Sequence, residues 1–252
     1  MLVIFPILSF AQPRIPKGLQ RFQLGYTYPM STAKYTTRTV VFDDFGDNNL
    51  DTTLSKDAKT KGGFGVTLGT NFPIVRMGDK SSLAISLDYL YNFLVWDADM
   101  VKISGYDEST GSYTYNSSYV PSAVTVQMGL PIGIDYKTGG EATLDRSNRT
   151  SFTFGTGFYP SMSATVFENN AGAKLKIQPF LKAEFGVFAG VNWKLRALYA
   201  FGRLEYIDYS SSLGVSGYSQ EESASLISKS SLNLSLMVQP FSFGWSKSEW
   251  WR

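Results

Sequence analysis

The chain is expected to be all-β: an eight-stranded antiparallel up-and-down barrel that crosses a membrane. Three observations lead there. Eight segments alternate apolar with other residues at a period of two, the opposite face is rich in glycine, and the connections alternate between long and short. Successive side chains of a strand point to opposite faces, so this alternation marks strands with two different environments. No run of about 18 apolar residues exists, which excludes a spanning helix.

Ahead of the first strand, Leu2-Val3-Ile4-Phe5-Pro6-Ile7-Leu8 leads into Ser9-Phe10-Ala11. This is the pattern of the apolar region and small-x-small cleavage site of a secretory signal. The expected division is a signal peptide over 1–11 and a barrel domain over 12–252. No basic stretch precedes the apolar run, so the true start codon stays open. No Cys follows the cleavage site, and a lipoprotein anchor is not expected.

The first strand carries Phe22, Leu24, Tyr26 and Tyr28 on one face. The second carries Phe64, Val66, Leu68, Thr70 and Phe72, with Gly63, Gly65, Thr67, Gly69 and Asn71 behind them. Leu83, Ile85, Leu87, Tyr89, Tyr91, Phe93 and Val95 make the third. Val124, Val126, Met128, Leu130, Ile132 and Ile134 make the fourth, backed by Gly129, Pro131, Gly133 and Asp135. The fifth has Phe152, Phe154, Thr156 and Phe158 interleaved with Gly155 and Gly157. The sixth has Leu175, Ile177, Leu181, Ala183, Phe185 and Val187, with Lys176, Gln178, Lys182 and Glu184 between them. Trp193, Leu195, Ala197, Tyr199 and Phe201 form the seventh, and Leu232, Leu234, Leu236 and Val238 the last. Segments near 30–61, 98–120, 167–173 and 210–229 are expected to be loops on one rim. Tighter turns near 75–81 and 189–192, and a middling one near 137–149, belong to the other.

Alternation alone fits a soluble ligand-binding barrel as well as a membrane one. The glycines favour the membrane. They are poor residues for a water-facing strand, but they suit the crowded interior of a narrow barrel. The apolar face carries almost no charge over the roughly 10 residues that a tilted strand needs to cross a bilayer. Tyr26, Tyr28, Tyr136 and Trp193 fall where interfacial aromatic girdles belong. Lys176, Lys182 and Glu184 argue for the soluble alternative, since they would suit a solvated face.

Inside the barrel, Ala189-Gly190-Val191 is expected to turn the sixth strand into the seventh. That register sets Phe188 opposite Asn192, Gly186 opposite Lys194 and Glu184 opposite Arg196, all inward. Side chains so opposed lie within about 5.5 Å at Cβ, close enough for a salt bridge. Asp88, Asp135, Lys182 and Lys194 are expected to extend the network from neighbouring strands. In a water-filled lumen, the alternative, the pair would contribute little.

Composition removes several functions. With no Cys and no His, thiol chemistry, the commonest general base and the commonest transition-metal ligand are all missing. A net charge of +2, from 23 basic and 21 acidic residues, makes no field that would attract nucleic acid. Asp43, Asp44, Asp47 and Asp51 cluster in the first long loop. Several carboxylates suit a hard cation such as Ca²⁺, but the spacing fails the EF-hand pattern, and the segment also fits an ordinary solvated loop. No cofactor is expected. The second loop sets Tyr106, Tyr113, Tyr115 and Tyr119 among Ser, Thr and Gly, a composition typical of adaptable binding surfaces. An ordinary extension of the strands above the membrane would carry the same residues.

The signal, the eight alternating strands, the rhythm of the loops and the terminal strand Leu232–Phe243 resemble small outer-membrane barrels of the OmpA-transmembrane/OmpX type. The resemblance spans about 19–243 and rests on patterns rather than signature residues, so it implies topology more than activity. Such barrels usually end in a C-terminal aromatic; here Phe241, Phe243 and Trp245 are followed by seven further residues. The peptidoglycan-binding domain of OmpA has no counterpart, so tethering to the cell wall is not implied. The outer-membrane barrels that are hydrolases, proteases or acyltransferases rely on a His, which this sequence lacks, so no enzymatic activity is expected. The resemblance implies residence in the outer membrane of a Gram-negative cell, with membrane lipid as one partner. The expected role is binding, adhesion or docking through the outer loops. The alternative is an accessory subunit of an outer-membrane secretion or assembly complex, docking a protein partner through lipid-facing strands and a Trp-rich tail. Eight strands leave an interior that side chains largely fill, which argues against a solute channel.

Overall fold

The computed structural model describes residues 15–43, 48–97, 102–107, 112–116, 123–167, 170–215 and 218–246. The expected signal peptide lies outside them. The strands are β1 (Gln23–Asp43), β2 (Asn48–Arg76), β3 (Ser81–Asp97), β4 (Lys102–Asp107), β5 (Ser112–Asn116), β6 (Val124–Gly129), β7 (Ile132–Gly139), β8 (Thr150–Phe167), β9 (Asn170–Ala189), β10 (Val191–Val215) and β11 (Tyr218–Gln239). Two single-turn helices, α1 (Lys17–Gln20) and α2 (Gly140–Thr143), sit at one end.

Every pairing is antiparallel, and β11 returns to pair with β1, which closes the ring. β6 and β7 lie end to end between β3 and β8, so together they form one stave. The ring therefore has 8 staves. The fourth expected strand breaks at Leu130-Pro131 because proline has no N–H to donate to the ladder. The ladder continues across the break: the Asp88 N–H donates to Pro131 O at 3.0 Å, and the Leu130 N–H to Pro160 O at 2.9 Å. Among the described residues, β4 and β5 pair only with each other. The last stave stops at Gln239 rather than Phe243, and Ser242–Gly244 form a 3-10 turn.

The outer wall is a belt of exposed apolar side chains: Leu24, Tyr26 and Tyr28 on β1, Phe152, Phe154 and Phe158 on β8, and Leu195 and Tyr199 on β10, among others. Phe158 is 64% and Leu195 61% exposed. Outward positions of the belt carry no charged side chain. So much contiguous apolar surface is far beyond what a water-soluble monomer presents. In lipid it is stable, because the closed ring pairs the backbone all the way round. Lys182 and Glu184, which argued for a solvated face, are buried in the interior instead.

The segments 30–61 and 210–229 are not the loops the sequence suggested. β1 runs on to Asp43 and β2 starts at Asn48, while β10 reaches Val215 and β11 starts at Tyr218. At 167–173, β8 runs to Phe167 and β9 starts at Asn170, and 98–120 contains the paired strands β4 and β5. The physical reason is an inversion of polarity along the staves. On β1 the inward residues change from Gln23, Thr27 and Ser31 to Ala33 and Tyr35, and the outward ones from Tyr28 and Met30 to Thr32 and Lys34. Above the belt the strands meet water outside and pack apolar side chains inside, the reverse of their membrane portion. A search for apolar-out alternation ends where the inversion begins.

Candidate functional site

At the end where the chain makes short turns, the interior is an ion-pair cluster. Gly190, with φ +79°, closes the β9–β10 turn, a backbone conformation that costs glycine little. The register that follows places Arg196 opposite Glu184 and Lys194 opposite Gly186. Arg196 Nε donates to Glu184 Oε1 at 2.6 Å, and Arg196 Nη1 lies 3.3 Å from Asp88 Oδ2. Lys194 Nζ is 2.5 Å from Glu184 Oε2. Lys182 Nζ lies 2.9 Å from Asp135 Oδ2 and 3.3 Å from Asp88 Oδ2. The six residues that the sequence placed in the lumen are thus in one cluster.

Two further members complete it. Lys137 Nζ lies 2.6 Å from Glu141 Oε1 and 3.7 Å from Asp135 Oδ2, and Lys194 Nζ lies 3.0 Å from the same Glu141 oxygen. Lys137 could have been found, because it shares the inward parity of Asp135. Glu141 could not, since it stands on α2, within a turn too short for any periodicity to show. With both included, the acids Asp88, Asp135, Glu141 and Glu184 balance the bases Lys137, Lys182, Lys194 and Arg196. Balance matters because an unpaired charge in a poorly hydrated interior is costly. Burial pushes the Glu141 carboxyl up, but Lys137 and Lys194 outweigh it and hold it below the usual carboxylate range.

The mouth beneath this cluster is closed by the segments just before β1 and just after β11. Trp245 is buried against Leu144, with Phe188 packed alongside, and its Nε1 donates to Gln20 O at 3.1 Å. The Asn192 N–H donates to Ser242 Oγ at 2.7 Å, and Asn192 Nδ2 to Gln239 Oε1 at 2.6 Å. Trp245 therefore packs inward as part of the closure, while Trp250 and Trp251 of the Trp-rich tail lie outside the described residues. Higher up, Thr27 shares hydrogen bonds with Thr67 and Ser235, and Asn92 Nδ2 donates to Asn233 Oδ1 at 2.9 Å. Higher still, Leu94, Trp96, Leu204, Tyr206 and Leu226 form an apolar core. Trp96 and Tyr206 pack with ring centroids 4.8 Å apart, and Trp96 Nε1 donates to Thr125 Oγ1 at 2.9 Å. The lumen is filled at both ends.

The other candidate residues lie on the hairpin side. Tyr106 pairs with Tyr113, and Ile103 with Tyr115, across the β4–β5 ladder. Asp43 ends β1, opposite Tyr218. Tyr119, Asp44 and Asp47 lie outside the described residues. Asp51 is taken up by Arg38, whose Nε and Nη2 donate to its two oxygens at 2.8 and 2.6 Å. That hydrogen-bonded fork holds the Asp51 carboxyl below its ordinary value. Among the described residues, no three Asp, Glu, His or Cys side chains come together as a metal site.

Beyond the belt, β2, β1, β11 and β10 continue as a four-stranded sheet. β3 pairs with β2 only from Lys59 onward, and β9 leaves β10 beyond Ala200. Among the described residues, the 48–58 edge of β2 therefore has no strand beside it. The gap between β9 and β10 is spanned by side chains: Lys174 to Asp208 at 3.0 Å, and Gln178 Nε2 to Gly202 O at 3.0 Å.

A closed ring of 8 staves, an uncharged apolar belt and a filled lumen define a small membrane-spanning β-barrel. This is the architecture of the outer-membrane barrels that the sequence resembles. No protein-family profile matches the chain, and no curated protein matches it. Among solved structures, it is similar to Neisserial surface protein A, at 9% identity and TM-score 0.33 over 85% of this chain and 96% of that one. It is also similar to Ail, the attachment invasion locus protein of Yersinia pestis, at 9% identity and TM-score 0.26 over 82% and 98%. A third is the outer membrane protease OmpT from Escherichia coli, at 8% identity and TM-score 0.36 over 85% and 96%. At these values the likenesses say nothing about what this chain does, and its fold rests on its own ring and belt.

Proposed function

We propose that this protein is a non-enzymatic barrel of a Gram-negative outer membrane, exported by its N-terminal signal, that holds a docking sheet for a protein partner outside the bilayer. The observation that carries this reading is the 48–58 edge of β2 on the projecting sheet, which has no second strand beside it among the described residues. An edge strand offers a row of free N–H and C=O groups, and an extended segment of a partner can add to it by main-chain pairing. The filled lumen supports a role at the rim rather than conduction. The absence of His and Cys from the sequence supports a role without catalysis. Arg38 stands opposite Thr53, so replacing 39–52 with an Asn-Gly turn shortens the hairpin without shifting its register. Cells displaying the trimmed barrel should bind host cells or partner protein less than cells displaying the intact one. Heat-modifiable gel migration would verify that both are folded. Undiminished binding by the trimmed barrel would overturn the proposal.

A further inference from the structure

Paired residues of this ring do not stand at one height. Following ladder partners round it from Met30 passes Tyr199, Thr156 and Ile85 and reaches Phe72. The register that sets Gln23 opposite Gly69 would set Phe72 opposite position 20, so a circuit slips ten residues from Met30. Shared among 8 staves, that is a little over one residue per stave. With the slip allowed for, Met30 on β1 and Phe64 on β2 are level with Met162 on β8 and Ile177 on β9. Lower down, Phe22 and Phe72 are level with Phe152 and Val187. In the ring, β1 and β2 stand across from β8 and β9.

The apolar surface does not stop at these levels on both walls. Above the upper one, β8 and β9 continue with Ala164, Val166 and Leu175, the last 73% exposed. On the facing wall the same height carries Thr32, Lys34, Lys59 and Lys61, and Lys34 and Lys59 share a groove with Arg203 and Lys229. Below the lower level the two walls change places. Ile74, Val75 and Met77 keep the β2 side apolar and exposed, and α1 adds Leu19, while β8 gives way to Thr150 and Arg149.

We propose that the barrel leans in the bilayer by about 20°, its upper end towards the β8–β9 wall, so that lipid covers a slanted band. A patch built for a protein partner would extend one wall at one end. A rigid cylinder leaning in a slab must extend opposite walls at opposite ends, and this surface does. A residue rises about 3.3 Å along a strand, or about 2.5 Å along the axis of a barrel whose strands tilt by about 40°. Val166 is four residues above Met162, an offset of about 10 Å. Met77 is five below Phe72, one of them taken up by the bulge after Pro73, again about 10 Å. Eight strands about 4.8 Å apart at that tilt make a ring roughly 16 Å across its backbone and about 26 Å across its outward side chains. An offset of about 10 Å over that width gives the angle. Held upright, the barrel would leave Val166, Leu175, Ile74 and Met77 among headgroups and water. The lean also lifts the β1–β2 wall, which carries the 48–58 edge clear of the headgroups. It follows from the barrel's place in lipid, whatever the edge binds.

The chain has no Cys, so a single introduced Cys reports one position. The test places a fluorophore on A164C, T32C, I74C or T150C of the full chain, refolded into phosphatidylcholine vesicles. Quenching by lipids with a nitroxide at two depths of the acyl chain gives the depth of each label. The Ala164 label should lie about 10 Å deeper than the Thr32 label, and the Ile74 label about 10 Å deeper than the Thr150 label, although each pair is level on the barrel. V166C and K34C repeat the upper comparison, and heat-modifiable migration identifies the folded fraction of every variant. In A164K/V166K the rigid ring should pivot upright, and a label on T32C should sink towards the chains. Equal depths within both pairs would overturn the proposal. So would a deeper Ala164 label with Ile74 and Thr150 alike, which would make the β8–β9 extension a patch for a protein partner. A Thr32 label that does not move in folded A164K/V166K would overturn it as well.

Discussion

Replacing Glu184 or Arg196 with glutamine probes the barrel where its interior is most highly charged. Both side chains are 1% exposed, so neither charge that is left behind can turn to bulk water. Glu184→Gln strands Arg196 with only Asp88 at 3.3 Å and removes the near partner of Lys194. Arg196→Gln leaves Glu184 with Lys194 but deprives Asp88 of one of its two cations. Breaking one side of a buried pair typically costs about 3–5 kcal/mol, because the orphaned charge stays buried. Each single variant should therefore lose about that much. The double variant removes one acid and one base together and returns the cluster to balance. Its loss should fall short of the sum of the singles by up to about 3 kcal/mol, the usual ceiling for directly interacting residues. The assay is urea unfolding of the refolded barrel in detergent, followed by tryptophan fluorescence and by heat-modifiable migration, with wild type, both singles and the double on the same lipid-free footing. Strictly additive losses would refute the reasoning, as would single losses below about 1 kcal/mol, the range of a hydrated pair.

Three further outcomes are expected. Gly157→Ala should destabilise the barrel by about 1–3 kcal/mol or prevent refolding, because a Cβ there would run into the Ile132 carbonyl and the Gly133 Cα; Gly62→Ala, which has open space, should refold normally in the same gel assay. The Glu141 carboxyl is held below its ordinary value, so its contribution is complete above the unfolded value of about pH 4.3 and is lost as pH falls through the lower folded value; Glu141→Gln should lower the midpoint at neutral pH and flatten the acid limb of a stability–pH curve. In planar bilayers the wild type should show no sustained open conductance, since the ion cluster and the Trp96–Tyr206 core both cross the lumen; a stable open level would overturn the account of the interior.

Much of this protein is legible along the chain because lipid imposes a simple rule. Over the belt, outward residues are mostly apolar and inward ones mostly small or polar, and a period of two records it: Leu83 to Val95 on one side, Ser86, Asp88 and Asn92 on the other. The ion pair between Glu184 and Arg196 was equally legible, since a three-residue turn at Gly190 sets the register over a few residues only. The projecting sheet was not. There Ala33, Tyr35 and Leu226 turn inward while Thr32, Lys34 and Lys229 face water, so the polarity of the two faces is exchanged, and the polar outer residues look like loop.

The sequence by itself determined the class of fold, the belt, the number of staves and the inward placement of six charged side chains, because all four depend on local alternation and turn chemistry. Only the tertiary structure decided how far the staves run, that Glu141 and Lys137 balance the charges of the cluster, that Trp245 closes the mouth, and that four basic side chains share one groove. Those features bring together residues far apart in the chain, as when Gln20 meets Trp245 or Lys34 and Arg203 line one groove, and closure of the ring is what makes this possible.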